Sequence, residues 1–259
     1  MSASRLPSPL PDLIAQRGNA DEYPENTLPA LRSALELGAR HIAFDVQLTA
    51  DRQPVLLNDA NLKRMAGLDR NALELTSQQL AEISISEPER FKQKYPDIGV
   101  PTLAQAVSLL AMHPQVTLFV EIKRASLRVF GVDVVVRKIC EVLKPVVRQS
   151  VLVSRDLSAV HHVRQVSSYR IGWMLSEYSN LSALKSEALV PDYLLCEHEL
   201  LTETNAQLWR GPWRWVIGNV TSREVAAQLA ARGARLVAST QFRRTLREFK
   251  SAEKGDRSI

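Results

Sequence analysis

Leu103–Met112 (LAQAVSLLAM), Thr117–Ile122 (TLFVEI), Val132–Leu143 (VDVVVRKICEVL) and Val151–Val153 (VLV) decide how this chain folds. In the first and third, apolar residues recur three and four apart, the period of one helix face. The second and fourth are short, apolar and rich in β-branched residues, like strands buried on both faces. The spacing therefore predicts helix, strand, helix, strand. Onward, it gives helices Leu157–Val166, Leu181–Leu189, Thr202–Leu208 and Ser222–Arg232. Between and after them lie strands Arg170–Leu175, Tyr193–Cys196, Trp215–Ile217 and Leu236–Ala238.

Toward the N-terminus, Asp12–Gln16 reads as a strand, a helix starts at Leu28 and is closed by Gly38, and Ile42–Leu48 is the next strand. Pro54–Leu57 follows after only Thr49–Gln53, too short for a crossover helix, so these two strands should form an antiparallel hairpin. Residues 60–101 read as polar and proline-broken, with a short helix at Ser77–Ile83. With the hairpin strand set aside, eight strands alternate with helices over the 259 residues. That is the arithmetic of an α/β protein, a (β/α)8 TIM barrel with a short hairpin and insertion after strand 2. A doubly wound open sheet would carry Gly-x-Gly-x-x-Gly after an early strand, and no such motif is present.

Composition agrees. Apolar residues at 45% and charged residues at 24% exclude a disordered, collagen-like or disulfide-scaffold chain. Residues 1–11 hold three prolines and no apolar core, so they read as a flexible segment rather than a signal peptide. Residues 12–250 read as the barrel and 251–259 as a flexible tail. No apolar run approaches the roughly 20 residues of a membrane span. The only cysteines, Cys140 and Cys196, lack metal-ligand spacing and suit a reducing cytoplasm. The net charge of +5 favours anionic partners. Basic residues concentrate only at Arg243, Arg244, Arg247, Lys250 and Lys254, interrupted by Glu248 and Glu253, which argues for a solvated terminal helix and against nucleic acid.

In a barrel, chemistry belongs at the C-terminal strand ends. Strand 1 ends in Gln16-Arg17-Gly18, strand 2 carries Asp45, the hairpin strand ends in Asn58-Asp59, and Thr117–Ile122 delivers Glu121 and Lys123. Residues two apart on a strand share a face, so Glu121 and Lys123 can both face the mouth. Two cations and two anions there must pair or bind something charged. Phosphate would suit Arg17 and Lys123, and a divalent metal would suit Asp45 and Glu121.

At these residues the chain resembles the glycerophosphodiester phosphodiesterase family. The resemblance runs through Ile14-Ala15-Gln16-Arg17-Gly18, Pro24-Glu25-Asn26-Thr27-Leu28, Leu37-Gly38-Ala39, Phe44-Asp45-Val46-Gln47-Leu48-Thr49, Pro54–Asp59, Pro101-Thr102-Leu103 and Val120-Glu121-Ile122-Lys123. Most of it lies in the first 125 residues. It implies a (β/α)8 barrel and metal-dependent hydrolysis of glycerophosphodiesters to glycerol 3-phosphate and an alcohol, within lipid and glycerol metabolism. It further implies two histidines as general acid and base, a Glu-x-Asp pair and a later Glu on the metal, and an Arg and a Lys on the phosphate.

Carried over residue by residue, the pattern is partly filled. The two histidine positions hold Gln16 and Asn58, and the Glu of Glu-x-Asp is Ala43. Asp45 and Glu121 remain as an incomplete metal set, and Arg17, Lys123, Glu25 and Asn26 remain for substrate. An amide cannot exchange a proton near neutral pH. Losing one general acid or base costs on the order of 10² to 10⁴ in rate. The expectation is a catalytically impaired phosphodiesterase-like protein that keeps a pocket for a small phosphodiester or phosphate-bearing ligand, with no cofactor or a weakly bound calcium or magnesium. The alternatives are an active metal-dependent phosphodiesterase with a non-standard acid/base, and a scaffold for a protein partner that the sequence does not identify.

Among the five histidines, His41 and His113 belong to the opposite face, and His161 and His162 to a helix surface. His198, after the sixth barrel strand and flanked by Glu197 and Glu199, is the one placed to carry a proton. Trp209, Trp213 and Trp215 read as packing between barrel and helices.

Overall fold

The computed structural model describes residues 10–201 and 207–255, with side chains through Ser251. Its nine strands are β1 (Asp12–Gln16), β2 (His41–Leu48), β3 (Pro54–Leu56), β4 (Thr117–Ile122), β5 (Ser150–Ser154), β6 (Arg170–Met174), β7 (Tyr193–Glu197), β8 (Arg214–Gly218) and β9 (Leu236–Ser239). β3 pairs only with β2 in the sheet, antiparallel, as the five-residue connection dictates. The other eight run parallel, and β1 closes the ring by pairing with both β2 and β9. The (β/α)8 barrel expected from the sequence is the observed fold, with strand ends within one or two residues of the expected bounds.

Two registers bear on the site. β1 sets Gln16 beside Ala43, and β4 sets Glu121 beside Asp45. Adjacent carboxylates at one level of a parallel sheet repel, so the fold must bring cations to them.

The helices lie outside the barrel, and several are started by a side-chain cap. Thr102 and Gln105 form a reciprocal capping box on Leu103–Leu110, Asp156 caps Leu157–Val166 and Ser222 caps Arg223–Ala231, each contributing about 1 kcal/mol. Val132–Leu143 buries Val135, Val136, Ile139 and Leu143 against the barrel, the face its sequence period marks. One apolar core fills the space between strands and helices, and a second, including Phe119, Val153, Leu195 and Val216, fills the barrel interior.

The segment at 60–101 departs from its polar reading. It folds over a core of its own, in which Leu62, Met65, Leu80 and Ile85 are fully buried with Val55 and Leu57. Its apolar residues are scattered among short turns and helices, so no period longer than one turn announces them. A helix at Arg124–Phe130, directly after β4, is also additional to the sequence reading. The helix expected at Thr202–Leu208 falls mainly on 202–206, outside the described residues, and Gln207 and Leu208 are not helical. The last helix, Phe242–Gly255, continues past Lys250. Of the ends read from sequence as flexible, 1–11 and 251–259, residues 1–9 and 256–259 lie outside the described residues. Among those described, no helix is long and apolar enough to cross a membrane, and Cys140 and Cys196 are both free thiols.

Candidate functional site

At the C-terminal end of the barrel an open cavity is lined by Gln16, Arg17, Ala43, Asp45, Glu121 and Glu197 above an apolar floor. β1 ends at Gln16, and the chain turns sharply at once. Arg17 adopts a left-handed backbone (φ 61°) while its N–H donates to Ala43 O, and Gly18 follows at φ 80°. A methyl group on Gly18 would collide with the backbone of Ala30, so this turn admits only glycine. The turn aims the Arg17 side chain back across the mouth.

There the charges interlock. Arg17 donates from Nε to Asp45 Oδ2 at 2.8 Å and from Nη1 to Glu25 Oε2 at 3.0 Å. Asn26, also left-handed (φ 58°), donates from Nδ2 to the same Asp45 oxygen at 2.9 Å and accepts the Asp45 backbone N–H through Oδ1. Lys123 Nζ lies 2.8 Å from Glu121 Oε1 and 3.3 Å from Asp45 Oδ1. Arg64, from the insertion, bridges Glu25 and Asp59.

Electrostatics follows from this arrangement. Burial alone would push the Asp45 carboxyl up, but Arg17 and Lys123 with Asn26 hold it down to about 2. Burial and then the neighbouring Asp45 push Glu121 up, against Lys123. Burial lowers the Arg17 and Lys123 pKa values, and the carboxylates around them more than compensate, so both cations stay charged.

A divalent cation does not fit the residues present. Asp45 and Glu121 are its only candidate ligands from the Glu-x-Asp-and-Glu pattern, Ala43 supplies no donor, and both carboxylates are occupied by Arg17, Asn26 and Lys123. Among the described residues no group of three His, Cys, Asp or Glu side chains is gathered to hold a metal.

Of the two amides at the expected histidine positions, Gln16 lines the cavity, with its buried Oε1 unpartnered. Asn58 does not line it; its Nδ2 donates to Asp59 Oδ1 and its carbonyl accepts from Gln47. Glu25 and Asn26 sit behind Arg17 and Asp45 and orient them. His198 opens a short 3-10 turn beyond β7 and does not line the cavity. The titratable group at that strand end is its neighbour Glu197, which the sequence reading took only as a flank. Glu197 Oε1 accepts from Arg155 Nη2 at 3.0 Å while Oε2 is buried without a partner among the described residues. Burial pushes this carboxyl up, against Arg155. The strand alternation offered one signal: Glu197 is two residues beyond Leu195, whose side chain faces the interior core. The tryptophans pack as expected, Trp209 stacking on Tyr178 at 4.1 Å and accepting the Trp215 indole N–H through its carbonyl.

The model of the glycerophosphoryl diester phosphodiesterase family matches residues 17–239. Glycerophosphodiester phosphodiesterase 1 of Rattus norvegicus is 34% identical over 110 residues, 42% of this chain and 33% of that protein. A glycerophosphodiester phosphodiesterase of Caldanaerobacter subterraneus is 32% identical over 98 residues, 38% of this chain and 40% of that one. The matched stretch thus spans well under half the length of these relatives. Among solved structures, an Oleispira antarctica phosphodiesterase in complex with the product sn-glycerol-3-phosphate superposes with a TM-score of 0.78 at 20% identity, over 92% of this chain and 96% of that one. A glycerophosphodiester phosphodiesterase from Parabacteroides distasonis gives 0.74 at 17%, over 93% and 98%. At these identities the structural likeness establishes the barrel alone.

Proposed function

Because the chain belongs to the glycerophosphoryl diester phosphodiesterase family, we propose that it is a phosphodiesterase-like protein that binds a small phosphate-bearing ligand at the barrel mouth and is impaired in hydrolysis. One observation carries the reading: Arg17 lines the mouth and Lys123 stands beside it on Glu121 and Asp45, while Gln16 in the cavity and Asn58 outside it are amides at the positions where the family pattern has proton-transferring imidazoles. Arg17 has Nη2 uncommitted among the described residues, since Nε and Nη1 take Asp45 and Glu25. Lys123 has one ammonium proton beyond its two carboxylate partners. An incoming phosphate oxygen can take both. Asp45, Glu25 and Glu121 keep the cations in place when no ligand is there, and the site works without a tightly held metal. The place of such a protein would be the cytoplasm, in the turnover of phosphodiesters derived from lipids.

The test has two parts on the full chain. Release of glycerol 3-phosphate from glycerophosphocholine and glycerophosphoethanolamine is followed with and without millimolar calcium or magnesium, and glycerol 3-phosphate binding is measured by calorimetry. The expected result is binding that Lys123→Ala abolishes, with no turnover. Metal-dependent turnover lost in Glu121→Ala would overturn the impairment. Absence of binding would overturn the phosphate pocket.

A further inference from the structure

The cavity holds two buried acceptor oxygens that nothing in the described protein satisfies, Gln16 Oε1 and Glu197 Oε2. Buried acceptors are normally paired, because each gave up its water on folding. Here the two side chains that carry them line one cavity whose remaining lining is largely apolar, with Phe119, Val153 and Val216 among it.

Glu197 is held in a fixed pose. Its Oε1 accepts from Arg155 Nη2, and Arg155 Nη1 is itself tied to Leu175 O at 3.2 Å. That leaves Oε2 turned over Gly218 at the end of β8, where a methyl group in place of the glycine hydrogen would overlap the carboxylate. Gly218 has no left-handed backbone to explain it; what it supplies is room for Glu197. Arg17, with its uncommitted Nη2, lines the same cavity. The cavity thus presents a guanidinium donor and, separately, a pair of acceptors.

We propose that Glu197 and Gln16 form a recognition subsite for the hydrogen-bond-donating end of a small phosphate ester, a hydroxyl or a primary ammonium, whose phosphate lies on Arg17. The inference rests on the phosphate pocket proposed above and makes Glu197 a specificity-determining residue. A donor on the ligand replaces the water that the two oxygens lost on folding. An alkyl chain of the same length leaves both of them unpaired.

The experiment is calorimetric titration of the full chain with inorganic phosphate, propyl phosphate, glycerol 3-phosphate and phosphoethanolamine. Glycerol 3-phosphate or phosphoethanolamine should bind at least about tenfold more tightly than propyl phosphate. Which of the two does so tells hydroxyl from ammonium. In Glu197→Gln, Arg155 keeps the amide oxygen and turns the amide nitrogen into the cavity, so the preference should vanish while propyl phosphate binding stays within about twofold. Gly218→Ala, which displaces the carboxylate without touching its chemistry, should do the same. A wild-type preference below about tenfold means that water serves the two oxygens, and overturns the subsite. A preference that survives both variants overturns it too. Failure of all four compounds to bind, inorganic phosphate included, would instead remove the phosphate pocket and the subsite together.

Discussion

The two walls of the barrel mouth are made on different plans. On the side of β1, β2 and β4, Arg17, Asp45, Glu121 and Lys123 are tied to one another and backed by Glu25, Asn26 and Arg64, so each charge has a charged partner within reach. On the side of β6, β7 and β8 the lining is largely apolar, and Glu197 stands in it, paired from behind with Arg155 at the end of β5. The first wall is an electrostatic unit whose charges are paired with one another. The second leaves one carboxylate oxygen without a partner among the described residues. What this teaches is that the charged motif residues hold one another in place whatever side chains stand at positions 16 and 58: Arg17, Asp45, Glu121 and Lys123 each have a charged partner, and none of these ion pairs involves Gln16 or Asn58.

The largest way to break the comparison is to return the missing groups to the charged wall. Gln16→His, Asn58→His and Ala43→Glu together should raise metal-dependent release of glycerol 3-phosphate by at least about 10²-fold over the parent chain. No gain, in a folded variant, would mean that something beyond these three positions blocks the reaction.

Next in size is removal of the hub of that wall. Asp45 is buried and takes donors from Arg17, Asn26 and Lys123. Asp45→Ala strands two cations and should cost about 3–5 kcal/mol in urea unfolding. A cost under about 1 kcal/mol would show that the network does not support the fold.

Arg64→Ala should cost less, about 1 kcal/mol, because Arg64 is 42% exposed and Glu25 keeps Arg17 when it is gone. The same unfolding measurement ranks it against Asp45→Ala, and equal costs would contradict a hub-and-rim arrangement.

The smallest effect belongs to the apolar wall. Burial raises the folded-state pKa of Glu197 above the usual carboxylate range. The folded form therefore keeps its proton longer than the unfolded chain does. The associated stability is complete below the unfolded pKa and is lost as pH rises through the folded one. Melting curves taken from pH 4 upward should show this decline in the wild type and a flatter profile in Glu197→Gln. Identical profiles would mean that Glu197 is no less solvated folded than unfolded.

Much of the fold could be read from local pattern. Segments such as Val132–Leu143 and Thr117–Ile122 carry a clean pattern, and the structure places helix and strand at the expected bounds. The hairpin followed from a loop too short for anything else. The insertion's core did not announce itself, because Leu62, Met65, Leu80 and Ile85 meet only through tertiary folding of short turns. At the site, Arg17, Asp45 and Glu121 lie where the strand ends put them. The role of Glu25 as partner of Arg17, and the arrival of Arg64, depend on contacts 8 and 39 residues apart in sequence that no period encodes. Glu197 was overlooked beside a histidine of more familiar chemistry, and only the orientation of two neighbouring side chains separates them.

The ring closure has a consequence in time. β1 leaves the ribosome before the other strands of the barrel, yet one of its two neighbours is β9, the last of them, with Ile14 opposite Ala238. The loop after β1 is likewise fastened late: Glu22 is bound by Arg243, 221 residues onward. Until β9 has been made, β1 therefore presents an unsatisfied edge, and the nascent barrel is an open, curling sheet. A ribosome that stalls before β9 would release a chain whose two raw edges seek each other in neighbouring copies. For this protein, the vulnerable interval is synthesis itself.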